Sequence, residues 1–316
     1  MIKLKTFGSF TVGNDITSVQ EGAWRSEKLE KLFVYLAMNR NRGVCIEDIS
    51  EAIWQVEEET DNPVGALKNL AYRLRKALRD ASFDEECIVS VRGGLYKWND
   101  DVEVTIDAEE FDRYINEAEL AFSRSKETAI ESYEKAIAIY NGDFLPLRTD
   151  THWFMTLNAF YHSRYVNTVK ALAKLYIDTG CYEKLEQLCT KAIVYERCDE
   201  QIYSYLIMAR MRTKKVQMAF DTYETAKAIM DNDLGVRKTV MLNKVYEELL
   251  SVTKGVSSYN IDEVKEDINE ESMEGVFMCG YPVFKEIYHL EVRKSARSNV
   301  PESLVLITVA PMFNIV

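Results

Sequence analysis

The sequence predicts a mainly α-helical protein with small β elements, built from a mixed N-terminal domain and a longer domain of helical repeats. The chain of 316 residues contains only 13 glycines and 5 prolines, which is too few for a turn-rich all-β protein. Hydrophobic residues make up 47% of the chain, which is enough to bury a core and excludes wholesale disorder. Apolar residues also recur at helical spacing through most of the chain.

The N-terminal domain begins with strand-like residues and continues with three helices. Residues 1–15 alternate between apolar and polar side chains around Gly8, which predicts a short hairpin. A first helix is expected to start after Ser26, a candidate N-cap. A second helix is expected over residues 46–53, and a third over about residues 64–81.

A second hairpin is expected after the three helices. Two short apolar runs, residues 88–91 and 95–98, flank a turn that contains two successive glycines. Glycine adopts the positive φ angles that a tight hairpin turn needs. Because the order is sheet, three helices and hairpin, the sequence predicts a winged helix-turn-helix domain over residues 1–100.

The middle of the chain contains an internal repeat with a spacing of 34 residues. This period is typical of tetratricopeptide helical hairpins. Gly180 marks the turn between the helices of the earlier copy, and Lys214 stands at the same position of the later copy. We therefore expect a tetratricopeptide-like repeat domain over residues 101–250. The matching positions are Ala171 and Tyr205, Leu172 and Leu206, Leu175 and Ala209, Leu185 and Ala219, and Ala192 and Ala226.

The C-terminal part of the sequence differs in composition from the repeats. Residues 251–275 are rich in acids and lack apolar periodicity, which predicts a flexible acidic linker. Residues 276–316 contain one helical stretch and one apolar strand, residues 304–309. One helix and one strand are too little for an independent core.

Several classes of function have no motif in this sequence. The six cysteines form no C-x-x-C pair and have no histidine at ligand spacing, so we expect no metal site. We find no nucleophile motif and no phosphate-binding loop, so we expect no catalytic residues, no cofactor and no enzyme activity. No apolar run is long enough to cross a membrane and no signal peptide is evident, so we expect a cytoplasmic protein.

The third predicted helix carries a basic face in an acidic protein. With a net charge of −12, the surface as a whole should repel a polyanion such as a nucleic acid. Residues 62–79 nevertheless contain five basic residues and no acid. Apolar side chains every three or four residues would turn to the core and leave a basic outer face, which suits the DNA major groove. The candidate DNA contacts on this helix are Lys68, Asn69, Tyr72, Arg73, Arg75, Lys76 and Arg79.

Four further residues are candidate DNA contacts outside the third helix. Arg92 lies at the tip of the second hairpin and Lys97 follows it, where a wing would touch phosphate or the minor groove. Arg25 and Ser26 lie at the start of the first helix, where backbone amides favour an anion. Since most of the excess of acids over bases lies beyond residue 100, we expect the isolated N-terminal domain to bind DNA with less repulsion.

A set of residues recurs in the order and spacing of a known family over about residues 2–250. They are Leu4, Phe7, Gly8, Phe10, Trp24, Arg25, Ser26, Leu36, Ala37, Ile53, Trp54, Leu74 to Leu78, Gly94 to Tyr96, Trp153, Arg164, Leu172, Gly180, Glu200, Ala219, Tyr223, Leu234 and Gly235. On these residues the chain resembles the SARP-type transcriptional activators, in which a DNA-binding domain similar to that of response regulators precedes a bacterial transcriptional activation domain. The resemblance implies a bacterial, cytoplasmic activator that binds repeated sites in promoter DNA, often as paired protomers, and recruits RNA polymerase.

The sequence therefore favours a sequence-specific DNA-binding transcriptional activator. Its winged helix would bind double-stranded promoter DNA, and its repeats would contact RNA polymerase or a second copy, as in a homodimer. One alternative is a helical-repeat adaptor or signal sensor whose winged helix does not read DNA. Another is nucleotide sensing, because residues 276–316 resemble the start of a degenerate nucleotide-cyclase-like domain; its catalytic loop is absent, so we expect an inactive, partial appendage.

Overall fold

The computed structural model describes residues 1–54, 62–83, 87–91, 94–234, 239–255 and 281–298. These residues belong to two compact units, Met1–Val256 and Ser257–Val316. Within the second unit the structure describes one helix, and the predicted strand at 304–309 lies outside the described residues.

The first unit contains six strands, ten α-helices and the short 3₁₀ helix Pro146–Arg148 among its described residues. The strands are β1 (Ile2–Lys5), β2 (Thr11–Gly13), β3 (Ser18–Gln20), β4 (Ile88–Val91), β5 (Leu95–Trp98) and β6 (Val104–Ile106). The helices are α1 (Glu27–Met38), α2 (Ile46–Ile53), α3 (Pro63–Asp80), α4 (Asp107–Ala121), α5 (Lys126–Ile139), α6 (His152–Thr179), α7 (Tyr182–Tyr195), α8 (Glu200–Arg212), α9 (Val216–Leu234) and α10 (Val240–Gly255). The second unit contributes α11 (Tyr281–Ser298).

The predicted N-terminal hairpin is confirmed, and it belongs to a larger sheet. β1 pairs with β2 in antiparallel register, and Gly8 at the turn has φ of +81°. β3 adds to the free edge of β2, while β6 pairs with β1 in parallel register. The resulting order is β3-β2-β1-β6. The sequence analysis did not identify β3 or β6, which are three residues long each.

The three predicted helices and the second hairpin are also present. α1 packs against α2 and α3, and α2 packs against α3. β4 pairs with β5 in antiparallel register, and Val44 bridges to Tyr96 beside this hairpin. Ser26 takes the N-cap position of α1, but its side chain makes no capping hydrogen bond. The predicted N-cap position of Ser26 is therefore confirmed, and the helix begins there without a hydrogen bond to the serine side chain.

The helices after β6, from α4 to α10, pack against each other in consecutive order, as the 34-residue repeat predicts. α6 ends at Gly180, which has φ of +72°. Lys214 occupies the same position 34 residues later and has φ of +62°. The two copies thus use the same left-handed turn, although one of them has no glycine. The architecture is a winged helix-turn-helix domain followed by tetratricopeptide-like helices.

The hydrophobic core is continuous across the predicted boundary at residue 100. One cluster of buried side chains runs from Ile2 to Ala209, and a second cluster lies between α8, α9 and α10. Trp24 and Trp98 belong to the first cluster, as expected for core residues. The division between 1–100 and 101–250 remains a prediction, because the sheet itself combines strands from both sides.

Within the described residues no helix has both the length and the apolar character that a membrane crossing requires. The same residues contain no group of three or more His, Cys, Asp or Glu side chains that could hold a metal ion. The five cysteines among them are free thiols.

Candidate nucleic-acid interface

α3 is a well-delimited helix whose start is set by local sequence. The side chain of Asn62 caps it by accepting a hydrogen bond from the backbone N–H of Gly65, at 2.9 Å. Pro63 occupies the first helical position, where its missing N–H costs nothing. An Asn cap followed by Pro stops the helix from extending backwards. The cap and the proline therefore fix where α3 begins.

The two faces of α3 separate as the sequence predicts. The buried side chains of the helix are Leu67, Leu70, Ala71, Leu74 and Leu78. They pack into the core of the N-terminal domain and hold the helix by one side. The exposed side chains include Lys68, Asn69, Tyr72, Arg73, Lys76 and Arg79. Six of the seven predicted contacts on α3 thus lie on the outer part of the helix.

Three cations on this face have no acidic partner among the residues that the structure describes. Lys68, Arg73 and Lys76 make no ion pair and no side-chain hydrogen bond there. Several cations of the repeat domain are paired with acids instead: Lys126 pairs with Asp178 at 2.9 Å, and Lys184 pairs with Glu134 at 2.8 Å. An unneutralised row of cations is a surface to which an anionic partner is attracted.

Two neutral residues on the same face have the chemistry of base recognition. Asn69 presents an amide, the group that matches the edge of adenine. Tyr72 leaves 67% of its surface exposed although tyrosine is a large, partly apolar side chain. An exposed aromatic ring amid cations suits contact with the apolar methyl group of thymine.

Arg75 differs from the other arginines of α3. Its Nε and Nη2 both donate to the backbone carbonyl of Ile88, at 3.1 and 3.0 Å. The guanidinium therefore ties α3 to the first residue of β4 instead of standing clear of the fold. The sequence pattern does not predict this contact of Arg75, because the carbonyl belongs to another element.

The remaining predicted contacts have mixed surroundings. Lys97 pairs with Asp100, with Nζ 2.5 Å from the carboxylate. Arg25 is exposed and has φ of +51°, while Ser26 beside it is half-buried. Glu27 follows in the first turn of α1 and opposes binding of an anion at that helix end. Arg92 lies outside the described residues.

The described candidate residues therefore fall into two groups. The structure brings Lys68, Asn69, Tyr72, Arg73, Lys76 and Arg79 together on one helix, while Arg25, Ser26 and Lys97 lie on other elements. The sequence pattern alone did not identify Asp100 as the partner of Lys97. Asp100 lies three residues after Lys97, and this spacing of an acid and a lysine could have predicted the ion pair.

Two family models match this chain. Residues 21–98 match the model "Transcriptional regulatory protein, C terminal", and residues 106–250 match "Bacterial transcriptional activator domain". Together the two matches cover more than two thirds of the chain. Their order is that of the winged helix and the helical repeats, and the second match begins at the end of β6.

Individual proteins are also similar to this chain. The transcriptional regulator RedD of Streptomyces coelicolor is 22% identical over 238 residues, which are 74% of this chain and 67% of RedD. The structure of Mycobacterium tuberculosis EmbR in complex with a low-affinity phosphopeptide has a TM-score of 0.60 and 19% identity, and it covers 87% of this chain and 73% of that chain. The Arabidopsis OM64 TPR domain aligns over 46% of this chain and 98% of its own length, with 14% identity and a TM-score of 0.32. By its two family matches in this order and its similarity to RedD, the chain belongs to the SARP-type transcriptional activators.

Proposed function

We propose that this regulator binds promoter DNA in a sequence-specific way by inserting α3 into the major groove. The observation that carries the proposal is the outer face of α3, on which Lys68, Arg73 and Lys76 have no acidic partner among the described residues. An α-helix fits the major groove, and cations displace the counterions of the phosphate backbone. Action on promoter DNA implies a cytoplasmic protein.

The residues of the exposed face divide by chemistry into reading and positioning groups. Arg73 and Asn69 have bidentate groups that match guanine and adenine edges, and Tyr72 matches a thymine methyl group. Lys68 and Lys76 are point charges that suit phosphate oxygens. Arg75 is assigned to holding the hairpin on α3, because its donors meet the Ile88 carbonyl.

The test begins with selection of binding sites from a randomised duplex library by the full-length protein. The triple variant K68Q/R73Q/K76Q removes three charges from α3. It should lose preference for the selected site, and the slope of log affinity against log salt should fall by about 2, because two of the three cations are assigned to phosphates. Affinity is measured by fluorescence anisotropy at several salt concentrations.

A matched control removes the same number of charges from the repeat domain. In K126Q/K184Q/K215Q each lysine has an acid partner, namely Asp178, Glu134 and Glu186 in that order. This control should keep the site preference of the wild type. If the library yields no enriched sequence and both triple variants behave alike, the winged helix does not read DNA. The adaptor function then replaces the proposal.

We also propose that the repeat domain contacts RNA polymerase or a second copy of the chain. Large apolar side chains are exposed on it, among them Leu120, Phe160 and Val194. A groove of about 360 Å³ lies beside Phe160, lined by Ile115 and Tyr133 among others. Exposed apolar groups beside a groove are typical of protein contacts. Phe160→Ser should lower activated transcription in a purified system while leaving DNA affinity unchanged; equal transcription by the variant would remove this part of the proposal.

A further inference from the structure

The segment between α5 and α6, residues 141–151, runs along the N-terminal domain; we call it the docking segment. It first extends the turn between β1 and β2 by backbone hydrogen bonds. The N–H of Gly8 donates to the carbonyl of Asp143 at 2.9 Å, and the N–H of Leu145 donates to the carbonyl of Thr6 at 2.8 Å. The docking segment is thus bonded to the N-terminal sheet like a short additional strand.

The backbone of the docking segment is shaped for this contact. A Cβ atom on Gly8 would lie 2.6 Å from the carbonyl oxygen of Asn141, and one on Gly142 would lie 2.9 Å from the Cα of Gly8. Leu145 has φ of +43° although it is a bulky, buried residue. Such a conformation is unfavourable for leucine and persists only where the surroundings impose it. The hydrogen bond of Leu145 to the N-terminal sheet holds its backbone in this conformation.

An aromatic cluster reinforces the same contact. Phe7 of the N-terminal domain is buried among rings that belong to the repeat domain. Its ring centroid lies 4.9 Å from that of Tyr140, 5.3 Å from Phe111 and 5.5 Å from Tyr161. Phe7 also forms an antiparallel bridge with Phe144 of the docking segment. The side chain of Phe7, which lies in the turn of the first hairpin, therefore fills part of the core of the repeat domain.

Two ion pairs then fix the docking segment against α1; the first is buried on both sides, and the second is buried on the side of its lysine. Arg148 lies 2.5 Å from the carboxylate of Glu30, and Lys31 pairs with Asp150. Glu30 and Lys31 each leave only 2% of their surface exposed. The charge order on α1 is negative then positive, and on the docking segment it is positive then negative. A shift of the segment along α1 would bring like charges together, so the pairs define its position.

The last contact of the docking segment reaches α2. The hydroxyl of Thr151 donates to the carbonyl of Ala52 at 2.8 Å, and both groups are buried. α1 and α2 are the two helices against which α3 packs. The docking segment therefore holds the support of α3 from the side of the repeat domain.

We propose that the docking segment positions α3 for DNA reading, with Arg148 as the positioning residue, so that DNA sequence preference depends on a residue outside the winged helix. The inference rests on the proposed function of α3. Arg148 is buried and forms ion pairs with three acids of the N-terminal domain. These are Glu30 at 2.5 Å, Glu21 at 3.3 Å and Glu27 at 3.6 Å. Its replacement therefore changes the support of α3 without changing the cations that face DNA.

The test compares Arg148→Met with a control in the full-length protein. The control is Lys170→Met, which breaks the 2.5 Å ion pair with Asp199 inside the repeat domain. Affinities are measured for the selected duplex and for a random-sequence duplex, below the melting temperature of each variant. Arg148→Met should bind the selected duplex about tenfold more weakly and the random duplex with less than a twofold change, since non-specific binding depends on charge and not on exact orientation.

A compensating variant separates positioning from loss of fold. Glu30→Gln combined with Arg148→Met removes both buried charges, so that neither remains unpaired. The preference is the logarithm of the ratio of the affinity for the selected duplex to the affinity for the random duplex. The double variant should recover at least half of the preference that Arg148→Met loses. If Arg148→Met and Lys170→Met lower the melting temperature and both keep the wild-type preference, Arg148 only stabilises the fold and the inference is wrong.

A measurement without DNA tests the inference separately from the proposed function. Amide hydrogen exchange in α2 and α3 should be faster in Arg148→Met than in the wild type, and unchanged in Lys170→Met. Faster exchange with no selected sequence for the wild type would leave the positioning role supported and the DNA-binding proposal contradicted. Unchanged exchange in α2 and α3 would overturn the positioning role whatever the DNA result.

Discussion

Arg73 and Arg75 lie two residues apart on α3, yet their guanidinium groups have different surroundings. Arg73 is exposed and has no partner among the described residues, whereas Arg75 donates two hydrogen bonds to the Ile88 carbonyl. The difference follows from helix geometry, since residues two apart point in directions about 200° apart. Of the two, Arg73 is the one whose guanidinium points away from the fold.

Arg73→Ala should relax the preference at one base pair of the selected site by about 1–3 kcal/mol, because a bidentate contact to a base edge is lost. Lys76→Ala is the comparison on the same face. It should weaken binding to all sequences alike and lower the salt slope by about one. Competition binding against single-base variants of the site measures both effects. Equal preference profiles for Arg73→Ala and the wild type would contradict docking of α3 in the groove.

His162 joins three parts of the repeat domain and should make its stability depend on pH. Its Nδ1 lies 2.8 Å from Asp143 and its Nε2 lies 3.0 Å from Glu196, while the hydroxyl of Tyr140 donates to Asp143. Burial by itself lowers the pKa of His162, but its hydrogen bonds to Glu196 and Asp143 raise that pKa above the ordinary value of 6.5. The charged imidazole is thus favoured in the folded protein.

His162→Gln should lower the free energy of unfolding by about 1–2 kcal/mol at low pH, because two hydrogen bonds to a charged group are weakened. Since the folded pKa lies above the unfolded one, the contribution of His162 is complete below pH 6.5 and is lost as pH rises through the folded pKa. Urea unfolding of both proteins at pH 6 and pH 9 measures the difference. A difference that is larger at pH 9 would show that the imidazole is neutral in the folded state.

Sequence reasoning identified the basic face of α3 and did not identify the partners of single side chains. The face could be predicted because five apolar residues and five basic residues alternate within one helix. The carbonyl that Arg75 contacts and the carboxylates around His162 lie on other elements. Their proximity depends on packing between elements, which no local pattern encodes.

Elements were predictable to the extent that their own residues determine them. α1, α2, α3 and the hairpin of β4 and β5 have strong local periodicity and were identified with nearly correct bounds. β6 consists of three residues and exists because it pairs with β1, about a hundred residues earlier. A strand formed by such a distant contact carries little local signal.

The turn at Lys214 gives a prediction for the helical hairpins. Lys214 adopts φ of +62° after α8, as Gly180 adopts φ of +72° after α6. Lysine has a Cβ that makes this conformation unfavourable, so Lys214→Gly should raise the free energy of unfolding by about 0.5–1 kcal/mol. Thermal and urea unfolding measure the change.

Gly180→Ala is the reciprocal variant at the earlier turn. No atom lies within 4 Å of the position that its Cβ would take, so the backbone conformation alone decides the effect. It should lower the free energy of unfolding by about 1 kcal/mol. If both substitutions change stability in the same direction, the two turns are not equivalent and the repeat does not extend to its turns.

At the scale of the whole molecule, residues 1–100 make contacts with residues 101–151 that a shorter fragment would lose. Without residues 101–151 the sheet loses β6, and the backbone N–H groups of Thr6 and Phe7 lose the Asp107 carboxylate that accepts them at 2.8 and 3.1 Å. Glu30 would also lose Arg148, and Phe7 would lose the aromatic rings that surround it. Loss of the burial of one phenylalanine alone costs about 1.5–3 kcal/mol, which is a large part of the stability of a small domain.

A fragment of residues 1–100 should therefore show no cooperative thermal transition, whereas residues 1–256 should melt like the full chain. Near-ultraviolet circular dichroism is suitable, because Trp24 and Trp98 are buried in the N-terminal domain. A fragment that melts cooperatively within about 5 °C of the full chain would show that the docking segment adds little to that domain.

The order of synthesis gives the docking segment a further consequence. A ribosome that adds about 5–20 residues per second needs roughly 3–10 s to extend the chain from residue 100 to residue 151. During that interval Phe7 lacks its aromatic neighbours and Glu30 lacks Arg148. Chains that terminate early would thus carry the basic helix without its support, and under the proposed function they should bind the selected sites more weakly than the complete protein.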